Sequence, residues 1–109
     1  MSVQQSDVVD FIGIDNATGN VTLAISDHLD WSDEHGHLLL LQQKINTYLR
    51  FLESGEINEA YPQAVGRKCV IEIVGKYDLT EAAESFLRQA SAVISGAGFS
   101  LRFRKLQAC

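Results

Sequence analysis

The chain has 109 residues, a formal net charge of −5 and 46% hydrophobic residues. That length fits a single domain, residues 1–109, whose core needs no disulfide or metal to hold it together. The acidity excludes a dense basic face for phosphate backbones, and the longest aliphatic run, Leu38-Leu39-Leu40-Leu41, falls far short of the ~20 residues that span a bilayer.

Residues 1–7 hold no base and no apolar stretch, so they read as a flexible N-terminal tail and not as a secretory signal. Val8 to Asp15 reads as a strand. Asp15-Asn16-Ala17-Thr18-Gly19-Asn20 follows as a turn of residues that cap locally or accept positive φ. Val21 to Ser26 alternates apolar with small or polar side chains, a half-buried strand, and the two strands form a hairpin.

Residues 27–37 form a polar connector into a helix that runs to about Glu53 and stops at Ser54-Gly55. On that helix Leu38, Leu41, Ile45, Tyr48, Leu49 and Leu52 share an arc of about 100°, the expected core face. Leu40 and Phe51 lie nearly opposite. A long loop, 54–66, carries Ile57 and Tyr61 as apolar anchors.

Arg67 to Tyr77 reads as a buried strand. Asp78 or Thr80 then caps a second helix, with Asp78 and Glu81 at capping-box spacing. Its apolar arc holds Ala83, Phe86, Leu87, Ala90, Val93, Ile94 and Ala97, and Gly96-Ala97-Gly98 ends it. Phe99, Leu101 and Phe103 alternate with Ser100, Arg102 and Arg104 as a final strand.

The order β-β-α-β-α-β, with one apolar stripe per helix, predicts an α+β two-layer sandwich: a four-stranded sheet with two helices packed on one face. A right-handed crossover makes the last two strands parallel, while the strand order stays open at this level.

Charge divides along the chain. Residues 1–61 hold ten acids and two bases; residues 62–109 hold seven bases and four acids. Three histidines, His28, His35 and His37, fall in the acidic connector with Asp27, Asp30 and Asp33. Imidazole and carboxylate suit zinc or manganese, so the histidines are metal candidates, although no spacing matches a metal motif. The acids are also what a helix N-terminus calls for. Trp31 either anchors a partner or folds back over the helix start; the second reading is preferred.

Leu40 and Phe51 either meet a partner or, for Phe51, lie under the 54–66 loop. Arg102, Arg104 and Lys105 guard a sheet edge or bind an anion, and the guarded edge is favoured. Cys69 reads as a buried thiol, and Cys109, the last residue, as exposed. Two scattered cysteines make no disulfide framework and suit a reducing cytosol. No G-x-S-x-G, P-loop or G-x-G-x-x-G occurs, so no catalytic residue is assigned.

The segments Asp10-Phe11-Ile12-Gly13-Ile14-Asp15, Ser26-Asp27-His28-Leu29-Asp30-Trp31 and Tyr48-Leu49-Arg50-Phe51, followed by Glu53-Ser54-Gly55-Glu56, resemble a family of small bacterial cytosolic proteins of unknown function. The resemblance implies a free-standing domain and no activity. The expectation is therefore a non-enzymatic protein-binding or accessory module of a bacterial cytosol, able to self-associate as a homodimer, without cofactor, membrane or nucleic acid. Its partner-binding residues would be Asp27, His28, Asp30, Trp31, Leu40 and Phe51. The alternative is a small metal- or ligand-binding enzyme centred on 27–37.

Overall fold

A computed structural model describes residues 11–105. The expected tail 1–7, the first residues of the predicted opening strand and Cys109 lie outside the described residues. The hairpin consists of β1 (Phe11–Ile14) and β2 (Val21–Asp27), paired antiparallel with Phe11 level with Ala24. Its turn is closed by the Gly19 amide, which donates to the Asp15 carbonyl at 2.7 Å, while the Asp15 carboxylate accepts from the Ala17 amide at 2.8 Å. Gly19 sits at φ +76°, where a side chain would be strained.

Helix α1 (Glu34–Glu53) starts where the Asp33 carboxylate accepts from the Gly36 amide at 3.2 Å. The polar connector therefore ends at Asp33, and His35 and His37 belong to the first helical turn. At the other end Gly55 takes φ +81° and stops the helix. The predicted loop 54–66 is more ordered than its composition suggests. It holds a short helix α2 (Glu56–Ala60) and a 3₁₀ turn at Pro62–Ala64. Ile57 is buried and Tyr61 packs partly against the core, which anchors both pieces.

Strand β3 (Cys69–Gly75) leads to α3 (Glu81–Gly96) and β4 (Ser100–Lys105). Of the two candidate caps, Thr80 is used: its hydroxyl accepts from the Ala83 amide at 3.1 Å. Asp78 instead pairs with Lys105 at 3.1 Å.

The strand order is β1-β2-β3-β4, with β2–β3 and β3–β4 both parallel. The register sorts the side chains into two faces. Val21, Leu23 and Ile25 lie level with Cys69, Ile71 and Ile73, and the last two with Leu101 and Phe103. These residues form one cluster with Leu41, Ile45, Tyr48 and Leu52 of α1 and Leu87 and Ile94 of α3. Both long helices thus cover the same face, giving the two-layer α+β sandwich. The opposite face presents Phe11, Ala24, Glu72 and Arg102 in one row, and Ser26, Val74 and Arg104 in the next.

The helix arcs differ from their periodicity in detail. Leu38 and Leu49 are only half-buried, and Val93, placed on the apolar arc of α3, is 65% exposed. The apolar arc of α3 is wider than the surface it meets. Conversely Lys44, a charged residue, is fully buried with its ammonium 5.6 Å from the centre of the Tyr48 ring. At the end of β3, Gly75 lies under the Phe103 ring; a methyl there would come within 2.6 Å of it.

Ile71→Ala removes a fully buried side chain from a central strand and lowers unfolding free energy in urea by about 2–5 kcal/mol, whereas Thr80→Ala costs about 1 kcal/mol. Burial also pushes the Cys69 thiol up. Iodoacetamide at mildly alkaline pH therefore labels Cys69 much more slowly in the native chain than in urea, as read on its own tryptic peptide between Lys68 and Lys76.

Candidate functional site

In open sheets with parallel strands, ligand and partner sites gather at the carboxyl ends of those strands. Here β2 ends at Asp27, β3 at Gly75 and β4 at Lys105. Asp27 continues the inward row of Val21, Leu23 and Ile25, so its carboxylate enters the helix layer and is only 4% exposed. His37, one turn into α1, enters from the other side and is 3% exposed.

The two side chains meet there. His37 Nε2 stands 2.6 Å from Asp27 Oδ2 and 2.8 Å from Oδ1. Its Nδ1 lies 3.0 Å from the Asp30 carbonyl, which can only accept, so Nδ1 donates. One hydrogen then sits in the short contact between Nε2 and the carboxylate, and both ring nitrogens are satisfied. The Asp27 Oδ1 atom also accepts from the Leu29 amide at 3.2 Å. Trp31 stacks on the His37 ring with centroids 3.7 Å apart and planes 23° from parallel. The preferred reading of Trp31, folded back over the helix start, agrees with its packing against the core.

Outside this buried pair lies an open hollow of about 440 Å³, lined by Leu29, Asp30, Ser32, Asp33, Gly36, His37 and Leu40. Leu29 and Leu40 pack on the core below it. Asp30 and Asp33 are exposed. The Ser32 hydroxyl and amide both donate to Asp30 Oδ1, at 2.7 and 3.2 Å, and hold the Asp30 carboxyl below the ordinary carboxylate range. Asp33 serves as the helix cap. The hollow therefore combines apolar Leu29 and Leu40 with the exposed carboxylates of Asp30 and Asp33, and His37 forms part of its wall.

The named sequence candidates separate on the structure. Asp30, Trp31 and Leu40 gather at this end of the sheet. Asp27 is buried and engaged by His37, so it shapes the site without presenting itself. His28 is exposed, as is His35. Phe51 sits about three helical turns from Leu40 in α1 and packs partly against the core. His37 has both nitrogens committed, and among the described residues no group of three or more His, Cys, Asp or Glu side chains is placed to hold a metal ion. The role of His37 as a buried partner of Asp27 was missed from the sequence. The signal available was its position four residues before Leu41, on the inward arc of α1.

Asp27→Ala leaves the buried imidazole without its acceptor and lowers stability by about 3–5 kcal/mol. Asp27→Asn, which keeps an accepting oxygen, costs visibly less. Emission from Trp31, the chain's one tryptophan, reports both unfolding transitions, and equal midpoints for the two variants would contradict the pairing.

No curated protein and no solved structure matches the chain. A family model does, over residues 1–107, and the chain accordingly belongs to DUF6572, a family of unknown function.

Proposed function

We propose that the protein is a non-enzymatic binding module of a bacterial cytosol, and that it takes a basic side chain of a partner protein in the hollow at the carboxyl end of β2. The observation that carries this reading is the pairing of apolar Leu29 and Leu40 with exposed Asp30 and Asp33 around one open hollow. Lysine and arginine have an apolar stem and a cationic head, and such a hollow accommodates both parts. Anionic surfaces also steer basic partners during encounter.

The buried His37–Asp27 pair acts in this reading as a brace. It ties the end of β2 to the first turn of α1 and fixes the Asp30 carbonyl between them. A general base or nucleophile must be able to reach substrate, and this imidazole has both nitrogens engaged under Trp31. The reading as a binding module is supported over the enzyme on that ground.

The test is retention of proteins from the native host on immobilised wild-type chain against Asp30→Lys and Leu40→Ala. Asp30 is exposed and its carboxylate bonds locally to Ser32, so Asp30→Lys should keep the fold, as circular dichroism checks. Proteins retained by wild type at low salt should be lost by Asp30→Lys and weakened by Leu40→Ala. Retention unchanged in both variants would overturn the reading. Light scattering at low and high salt tests the self-associating form of it, which a monomer under all conditions removes.

A further inference from the structure

We propose a second interaction surface on the other side of the molecule: the free edge of β4 accepts an extended acidic segment of another protein as a fifth strand. No described residue pairs with the outer edge of β4. Alongside it runs a hollow of about 330 Å³. Leu101 and Phe103 point to the helix layer and Arg102 to the opposite face, so a hollow that touches all three lies along the strand's outer edge and not beneath the sheet. Its apolar lining comes from Leu101 and Phe103 with Leu79, in the connection before α3, and Leu87, within α3.

The charge around this edge is set up to choose an acidic occupant. On the open face Glu72, 8% exposed, lies between two arginines: Arg102 Nε donates to Oε2 at 2.6 Å, and Arg104 Nε stands 3.5 Å from Oε1. One carboxylate thus holds two guanidiniums through their Nε atoms. Both arginine side chains remain about half exposed, at 52% and 55%, so each still presents positive charge on the open face of β4. Arg88 adds a third guanidinium to the lining of the hollow, which also holds one carboxylate, Glu84. The molecule as a whole is anionic, and this edge runs against that trend.

A strand laid beside β4 alternates its side chains between the two faces. Those on the helix side fall into the apolar hollow; those on the open side stand level with Arg102 and Arg104. The fitting segment therefore alternates apolar residues with aspartate or glutamate. Backbone bonds give such an added strand its affinity and the alternate pockets give its specificity. Charges on an edge discourage chance pairing; here the same charges would admit a strand that carries the opposite sign. This surface is independent of the hollow at Asp30, and either can fail alone.

The probe is a blocked seven-residue peptide alternating valine and glutamate, titrated into ¹⁵N-labelled wild-type chain. Shifts should concentrate in β4 and the Glu84–Ser91 face of α3, and weaken as salt rises. A valine–lysine peptide should bind at least about tenfold less tightly, from cross-strand charge pairing. So should a valine–glutamate peptide N-methylated at alternate amides, which keeps the side chains and loses the ladder. Arg102→Glu should weaken binding to a similar degree, while Arg102→Lys keeps most of it. The peptide controls use unaltered protein, so misfolding of a variant does not blur the result. The proposal is overturned by equal binding of the two charge types, by shifts centred away from β4, or by no shift at about 2 mM peptide, beyond any useful affinity. It is also overturned if light scattering shows a dimer whose β4 amides are already protected, since a second copy then occupies the edge.

Discussion

The parallel pairing of β2 with β3 is the constraint on which the rest of the structure depends. Antiparallel neighbours can be joined by a two-residue turn, but a parallel pair needs a crossover long enough to return the chain to the starting end of the sheet. The segment between Asp27 and Cys69 supplies it, with α1 as the return. That helix must lie over the sheet, and it must cover the face on which Val21, Leu23, Ile25, Ile71 and Ile73 are already aligned by register. The same requirement recurs between β3 and β4, and α3 meets the same row. At about 25 cal/mol per Å² of apolar surface removed from water, five aliphatic side chains with no exposure on two adjacent strands outweigh any single polar contact in the molecule.

Polar groups then fill the places that this arrangement leaves. Asp27 ends the inward row of β2, and an aspartate pointing into an apolar layer is costly without a partner. His37 provides one, and the first turn of α1 is thereby fixed against the end of β2. Tyr48 solves a related problem by donating to the Ala24 carbonyl at 2.6 Å, so its ring fills the core while its hydroxyl stays satisfied. Glu72 repeats the pattern on the opposite face, where its neighbours in the row are alanine and arginine.

Much of this was legible in the chain. Alternation in Val21–Ser26 and Phe99–Arg104 revealed strands, and the periodic stripe from Leu41 to Leu52 revealed a helix face, because each reflects burial on one side only. What stayed hidden depended on neighbours distant in sequence. Strand order is a property of pairings, and no residue of β4 marks β3 as its partner. Lys44 is a charged residue, yet its place between Leu41 and Tyr48 on the helix draws it inward. The pairing of His37 with Asp27 joins residues ten apart, across a connector whose composition suggested only a capped helix. Short helical pieces in 56–64 escaped notice because five residues are too few for periodicity to register.

The strand order also converts a division of charge along the chain into one across the molecule. Acids of the connector sit at the end of β2, while Arg102 and Arg104 lie on β4, two strands away. At about 4.8 Å per strand this lateral separation is about 10 Å, close to the Debye length at physiological salt. Charges so far apart at an exposed surface barely neutralise each other, so each retains its own local field. Opposite charges placed opposite each other on adjacent strands would instead have cancelled, as Glu72 and Arg102 partly do. A small acidic protein can in this way keep a basic edge, and a net charge of −5 describes neither end of it.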